Sequence, residues 1–244
     1  MACDPCGAAH GPRRPYGVQV SESPGWNAID AALEQLYHDT APSHWGTGVP
    51  WSLGGPDPLD GISAYPRTEP VPHWHYISYG MTELYEKEWD NPAESGWGFE
   101  FTFRLLRRPA DEKPPVWPAN FLQNLARYVF QSGNWFAPGH TIKSNGPIAA
   151  DHHPDSDIHA VAFTMDPELG AIDTPHGRVQ FLQIVGLTMP EYRAAQGGHT
   201  QAVLDELAPR LPLLVTDIER GSLMEEPKAK AKWPRWGGGL RGRA

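Results

Sequence analysis

The stretch Trp51-Ser52-Leu53-Gly54-Gly55-Pro56-Asp57-Pro58-Leu59-Asp60 places two glycines, two prolines and two aspartates between apolar residues. A short way downstream the chain reads His73-Trp74-His75-Tyr76-Ile77-Ser78. A segment so rich in turn-forming residues is costly to order unless it adopts one defined conformation. We therefore predict a structural turn in which Asp57 and Asp60 bond to nearby backbone amides, followed by a strand over residues 73–80.

Two longer helices are predicted from their start signals and their apolar spacing. Ser23-Pro24 combines an N-cap residue with a proline in the first turn, and the helix should end near His38. Its apolar residues recur at helical spacing, at Trp26, Ile29, Leu33 and Leu36. Trp117-Pro118 opens the second helix, and Gly133 is a natural residue to end it. A shorter helix is predicted over 200–208.

Further strands are predicted over 98–107, 159–165, 178–187 and 213–218. In the first of these, phenylalanines alternate with Glu100, Thr102 and Arg104, which predicts one buried and one solvated face. The 178–187 strand is apolar on both faces and should lie centrally. Because the order of elements shows no regular βαβ repetition, we predict an α+β fold with a twisted, largely antiparallel mixed sheet and flanking helices.

The charge is unevenly distributed along the chain. The net charge is −9, yet residues 228–244 contain six basic residues and no acid. The rest of the chain has 14 basic and 29 acidic residues, a net charge of −15. Such an acidic body disfavours nucleic acid, whose phosphates need clustered cations, and favours a basic partner. No signal peptide or membrane span is visible, so a cytoplasmic location is expected.

The predicted boundaries are a flexible N-terminal segment over 1–23, one domain over 24–224 and a flexible basic tail over 225–244. Cys3 and Cys6 form a Cys-x-x-Cys pair near the N-terminus. A structural zinc site needs four ligands, and no second pair follows. We therefore expect no metal there.

Several separated segments form a series along the chain. They are 24–25 with 28–29, 53–60, 73–78, 98–100 with 102–105, 125–132, 174–175, 181–186, and 216–217 with 220–221. In this order they resemble the Suppressor of fused family, over nearly all of residues 24–223.

The resemblance implies a protein-binding function without catalysis or a cofactor. The best-known members of that family regulate hedgehog signalling as two-lobed proteins. They sequester Gli-type transcription factors by clamping a short extended segment that adds to sheet edges. This chain resembles the first lobe only, so we do not expect it to hold a segment between two lobes. The resemblance to single-domain bacterial members implies an immunity protein that neutralises a toxin.

The resemblance also points to candidate binding residues. In the two-lobed members, acidic groups of the first lobe contact a histidine of the bound segment, whereas the matching positions here are Gly139 and Met165. The tyrosine of the helix motif is retained as Tyr128. Without both carboxylates a Gli-like peptide is not expected to bind. We expect the partner surface on the acidic face formed by this helix and the 133–146 and 151–157 loops. The candidate residues are Tyr128, Gly139, His140, Asp151, Asp155, Asp157, Met165 and Asp166.

An enzyme is the main alternative class. His73 and His75 share one face of a predicted strand, and possible metal ligands are dense downstream, at Asp151, His152, His153, Asp155, Asp157 and His159. Two histidines and a carboxylate could hold a divalent metal with an open position for water. Asp57 and Asp60 could also act as paired carboxylates. We assign His73 and His75 to structure because they flank Trp74 in an aromatic strand, and the two aspartates because Asp forms turns in a Gly-Gly-Pro-Asp-Pro context. No nucleotide-binding or nucleophile-elbow motif is present.

We therefore predict a protein that sequesters or neutralises a basic partner protein, as a toxin-directed immunity protein. Two alternatives remain open. One is a regulator that binds a transcription factor. The other is a metal-dependent hydrolase that uses the Asp/His-rich loop.

Overall fold

The computed structural model of the protein describes residues 23–224. Cys3, Cys6 and the two terminal segments predicted to be flexible, apart from Ser23, lie outside the described residues. Within them, no helix is long and apolar enough to cross a membrane.

The described residues form four α-helices and eight β-strands. The helices are α1 (Pro24–Tyr37), α2 (Trp117–Ser132), α3 (Met189–Ala195) and α4 (Thr200–Leu207). The strands are β1 (Ser43–Gly46), β2 (Gly61–Arg67), β3 (His73–Tyr79), β4 (Glu94–Leu106), β5 (Thr141–Lys143), β6 (Ile158–Met165), β7 (Ala171–Thr174) and β8 (Gly177–Thr188).

All eight strands belong to one sheet with the order β1-β2-β3-β4-β8-β6-β5, and β7 pairs with the start of β8. Every pairing is antiparallel except that of β4 with β8, which is parallel. The predicted α+β class and its largely antiparallel mixed sheet are confirmed. The central position of the 178–187 strand is confirmed as well, because β8 lies between β4 and β6.

Both long helices follow the sequence signals. Helix α1 has Ser23 as its N-cap residue and ends at His38, and it buries Ile29 and Leu33. Helix α2 ends at Gly133, which has the left-handed φ of 73° that glycine adopts most easily.

The sheet is covered on both faces, which corrects one prediction. Helix α2 packs on one face, against alternate residues such as Tyr76 and Phe103. Helix α1 packs on the opposite face of β2 and β3, and α3 with α4 cover that face of β6 and β8. Glu100, Thr102 and Arg104 therefore lie in the interior, although their alternation with phenylalanines predicted a solvated face.

The predicted strand over 213–218 is also wrong. Pro212–Leu214 forms a short 3-10 helix, and only Thr216 pairs with the sheet. Its amide donates to Arg104 O at 2.8 Å, and its carbonyl accepts from Leu106 N at 2.9 Å.

The turn over 50–57 closes on itself and is fastened to α2. Pro50 and Asp57 form an isolated bridge, and Gly54 adopts a left-handed φ of 85°. The Asp57 carboxylate forms an ion pair with Arg127 of α2. The turn is structural, as predicted, but Asp57 is fixed by a distant side chain.

Close packing at Gly25 determines how α1 meets the β3–β4 connection. The amide of Gly25 donates to Leu84 O at 3.1 Å, so this carbonyl caps the first turn of the helix. A Cβ atom at Gly25 would lie 2.1 Å from Glu83 O. Only glycine permits this approach without a backbone shift.

We expect Gly25→Ala to lower the free energy of unfolding by about 1–3 kcal/mol, because the added methyl group forces α1 away from the 83–84 backbone. Denaturant unfolding monitored by circular dichroism measures the change. Gly48→Ala is the matched control, because no atom lies within 4 Å of its Cβ position. Equal stability of the Gly25 variant and wild type would show that this contact is not tight in solution.

Candidate functional site

A cluster of buried polar side chains connects β3 and β4 to the turn after β6. The Asp166 carboxylate accepts hydrogen bonds from Arg104 Nη2 at 3.0 and 3.1 Å, and from Thr102 Oγ1 at 2.9 Å. Two backbone amides, of residues 168 and 169, donate to it as well. Burial alone would raise the pKa of Asp166, but contact with His75 and with the Arg104 guanidinium holds that pKa well below its usual range.

Two neutral histidines complete this cluster. His75 contacts Asp166 through Nε2 at 3.1 Å and the Tyr37 hydroxyl through Nδ1. The tautomer that satisfies both contacts carries its proton on Nε2. His73 has the opposite tautomer, because Nδ1 donates to a backbone carbonyl at 2.7 Å and Nε2 faces Arg104 Nη1 at 3.1 Å. Burial lowers the pKa of His75 to about 3 and that of His73 to about 4. Both histidines therefore serve the structure, as the sequence analysis proposes.

Glu100 is a second fully buried carboxylate, and it anchors the beginning of the β3–β4 connection. It accepts hydrogen bonds from Ser78 Oγ at 2.5 Å, Gly80 N at 3.0 Å, and Thr82 N and Oγ1 at 3.0 and 2.7 Å. Burial raises the pKa of Glu100 to about 7, although these four hydrogen bonds favour the charged form.

An aromatic stack lies at the C-terminal end of α2. The ring of Tyr128 stacks on Phe136 at a centroid distance of 5.7 Å, and Phe136 stacks on Phe163 of β6 at 4.2 Å. Phe136 and Phe163 are buried, whereas Tyr128 is 47% and Trp135 62% exposed. Aromatic side chains that are half exposed and held rigid on one side are typical anchors of protein interfaces.

The turn over 136–140 brings further candidate residues to this stack. Gly139 N donates to Phe163 O at 2.8 Å, and Phe163 N donates to His140 O at 3.0 Å. Gly139 has a φ of 93°, and its carbonyl accepts from Thr200 Oγ1 at 2.7 Å. Met165 follows two residues after Phe163 on β6. Tyr128, Gly139, His140 and Met165 are thus brought to one end of β6.

Next to this stack, β5 forms one edge of the sheet. Its neighbour β6 bonds to His140 and to Ser144, whose amide donates to His159 O at 2.9 Å. In an antiparallel edge strand, the backbone groups of every second residue bond to the neighbouring strand and those of the residues between point outward. The amides and carbonyls of Thr141 and Lys143 therefore point away from β6. Within residues 23–224, no backbone group outside the β5–β6 ladder pairs with these two residues. We use "β5 surface" for this edge together with Tyr128 and Trp135.

The Asp/His-rich loop lies at the opposite end of β6. Asp157 precedes the strand and Met165 ends it, so the two residues are about 26 Å apart by the rise of a strand. Asp151, Asp155 and Asp157 are exposed. Within residues 23–224 no three histidine, cysteine or acidic side chains converge where they could hold a metal ion. The candidates expected on one surface therefore fall into two separate groups.

Asp166 does not belong to an exposed surface, contrary to our expectation. It is 1% exposed and is enclosed by the buried cluster described above. The reason is chemical: the side chain of Arg104 lies inside the sheet and needs a carboxylate partner there.

Sequence reasoning missed Trp135 and the edge groups of β5. Trp135 had a visible signal, because a large aromatic residue stands in a loop expected to be exposed. The edge of β5 had no local signal, because a strand of three residues is defined only by its pairing with β6.

These features define a class of protein: an α+β domain with a rigid aromatic and charged interior, a free sheet edge and exposed aromatic side chains. A family model described as Suppressor of fused protein (SUFU) matches residues 55–221. The human and mouse proteins called Suppressor of fused homolog are each 39% identical over 218 residues, which cover 83% of this chain and 44% of theirs. The chain belongs to the Suppressor of fused family. It spans less than half the length of these curated relatives.

Solved structures agree with this assignment. A chain in the crystal structure of the Sufu–Fu complex is 35% identical with a TM-score of 0.75, over 82% of this chain and 92% of that chain. Drosophila Suppressor of Fused has the same identity and TM-score over 82% of this chain and 51% of its own. A putative SUFU homolog from Neisseria gonorrhoeae shares the fold, with 14% identity, a TM-score of 0.56, and coverage of 83% and 98%.

We expect Asp166→Asn to lower the free energy of unfolding by about 2–3 kcal/mol, because it removes the fully buried one of the two carboxylates that pair with the Arg104 guanidinium and leaves only Glu168, at 2.8 Å. Urea unfolding at neutral pH measures the change. Asp205→Asn is the control, because Asp205 is exposed on α4 and its loss should cost less than about 0.5 kcal/mol. Similar small losses in both variants would contradict the role of the cluster.

The pH dependence of stability should reveal Glu100. Its pKa is raised in the folded state, so the folded protein binds more protons than the unfolded chain between about pH 4.5 and 7. Stability from this group therefore falls as pH rises through that window. Glu100→Gln removes the effect. The free energy of unfolding of the variant, measured relative to that of wild type, should therefore rise by roughly 3 kcal/mol between pH 4.5 and pH 8.

The difference between the two unfolding curves isolates this residue, because His73 and His75 contribute equally to both proteins. Urea unfolding at intervals across the window gives the curves. Parallel curves for wild type and Glu100→Gln would show that Glu100 has an ordinary pKa.

Proposed function

We propose that this chain is a non-enzymatic regulator in the cytoplasm that binds another protein through the β5 surface. The observation that carries the proposal is the coincidence of free backbone groups on Thr141 and Lys143 with the exposed rings of Tyr128 and Trp135. Family membership supports binding rather than catalysis, because the Suppressor of fused family consists of protein-binding regulators. The related Sufu chain is found in a complex with Fu.

The binding mode follows from the edge of the sheet. An extended partner segment would add a strand to β5 by bonding to the outward amides and carbonyls of Thr141 and Lys143. Its side chains would then reach Tyr128 and Trp135, which supply apolar contact area at a low cost in side-chain entropy. Backbone bonds provide general affinity in this mode, and the aromatic contacts select the sequence.

Toxin neutralisation is the second candidate for the biological role. It is favoured by the net charge of −15 in residues 1–227, which complements a basic toxin and speeds encounter with it. The two roles predict different partners. A regulator should capture a DNA-binding protein, whereas an immunity protein should capture the product of an adjacent toxin gene and protect cells that express it.

The binding mode is tested by Thr141→Pro, which removes an outward amide and the exposed hydrogen bond from Gln196 to the Thr141 hydroxyl but leaves the bonds to β6 intact. The partner is first captured from the source cells with the wild-type chain, identified by mass spectrometry and then purified. We expect Thr141→Pro and Tyr128→Ser each to weaken its binding by roughly tenfold, since each removes about 1–2 kcal/mol of contact energy.

Val116→Ser is the matched control, because Val116 is 49% exposed and lies at the other end of α2. It should leave the affinity unchanged. Equal affinity for the wild type, Thr141→Pro and Tyr128→Ser would contradict the proposed surface. Turnover of a small molecule by the pure protein, abolished by a point substitution, would contradict the proposed class.

A further inference from the structure

Most of the exposed large apolar side chains lie away from the β5 surface. Among residues 23–224, five of them lie in two short segments, 49–53 and 85–89. These five are Val49, Trp51, Leu53, Tyr85 and Trp89. Of these, Trp51, Tyr85 and Trp89 line one groove, together with Trp97 and Phe130. We call this the "aromatic groove".

The walls of the aromatic groove are connected by direct ring contacts. Trp51 meets Phe130 edge to face at 5.5 Å, Phe130 meets Trp97 at 5.7 Å, and Trp97 meets Trp89 edge to face at 5.1 Å. Gly80 and Thr82 also line the groove, and both are fixed by hydrogen bonds to the buried Glu100. The groove is therefore an ordered apolar surface. Contiguous apolar surface of this kind typically marks an interaction site.

The rim of the aromatic groove is acidic. The loop over 83–94 has five acidic residues and a single cation, Lys87, which pairs with Glu83 at 2.7 Å. Glu86 and Glu88 are exposed and line the groove, as does Asp60. A negative rim around an apolar centre selects a ligand with the complementary pattern: an apolar group between positive charges.

We propose that the aromatic groove binds a segment of a partner protein in which an apolar side chain is flanked by lysines or arginines. The apolar side chain lies between Trp51 and Trp89, and the cations meet Glu86 and Glu88. A second copy of this chain fits poorly, because a two-fold contact would oppose two identical acidic rims. The inference rests on the proposed function and adds to it a second contact surface and the chemistry of the segment bound there.

A short synthetic peptide in which lysines flank one leucine–tryptophan pair is the probe. A second peptide, with alanines in place of that pair, is its control. Both are titrated calorimetrically into the full chain at low ionic strength. We expect only the first peptide to bind, and we expect Trp89→Ser and Trp51→Ser each to weaken its binding by roughly tenfold or more. Equal binding of the two peptides would overturn the proposal.

A charge-matched pair of variants separates the groove from the general negative charge. Glu86→Lys combined with Glu88→Lys should weaken binding by roughly tenfold. Asp205→Lys combined with Glu206→Lys changes the net charge equally at an exposed site on α4, and should have little effect. Equal losses in the two double variants would show attraction to net charge alone and would overturn the proposal. If Trp89→Ser lowers the unfolding midpoint, the Glu86→Lys, Glu88→Lys double variant tests the groove instead, because both residues are exposed.

Two other occupants give distinct results. Binding of the probe that appears only after Trp233 and Trp236 are replaced by serine would assign the groove to residues 225–244 of this chain. Concentration-dependent dimerisation that Trp89→Ser abolishes would assign it to a second copy. Either result would overturn the assignment to a partner. Thr141→Pro should leave probe binding unchanged, so a failure of the proposed β5 surface is distinguishable from a failure of the groove.

Discussion

The contact between Asp166 and Arg104 is the interaction on which the rest of the structure depends. Arg104 lies on β4 near the middle of the sheet, and its side chain is fully buried on the face that α1 covers. A guanidinium can be buried there only with a countercharge, since removal from water without one costs several kcal/mol. Asp166 and the partly buried Glu168 supply that charge from the turn after β6, so these pairs fix this turn against β3 and β4. The neutral histidines His73 and His75 contact this pair from β3, through Arg104 Nη1 and through Asp166.

This cluster also explains where sequence reasoning succeeded and where it failed. Local signals predicted α1, α2 and the central strands, because capping residues and apolar spacing act within a few residues. The alternation in β4 was misread, because Glu100, Thr102 and Arg104 find their partners in residues far along the chain. The short strands β1 and β5 have no local signal for the same reason. The expected partner surface was divided because Asp157 and Met165 stand at opposite ends of β6, a distance that only the sheet reveals.

The β5 surface is also held in place by packing and hydrogen bonds. Phe136 and Phe163 stack under Tyr128, and the 136–140 turn is bonded to β6 and to Thr200, so the tyrosine ring is held before any partner arrives. A surface that is already ordered spends little conformational entropy on binding. Gly139 and Met165 lie at this end of β6 and offer no carboxylate, so no charged group of theirs takes part in this framework. A segment selected by apolar contacts and backbone pairing suits the remaining groups better than one selected through a histidine.

Charge and aromatic surface have different tasks in this protein. The negative charge of the chain outside its basic C-terminal segment acts at a distance: it attracts positively charged molecules and is screened by salt beyond about 10 Å. The rings act only on contact, and they govern how long a complex lasts, because buried aromatic anchors mainly slow dissociation. In the aromatic groove the two are combined, with Glu86 and Glu88 beside Trp89. Glu100 stands behind that groove and orders its floor, so a buried carboxylate that touches no partner nonetheless shapes the surface that would receive one.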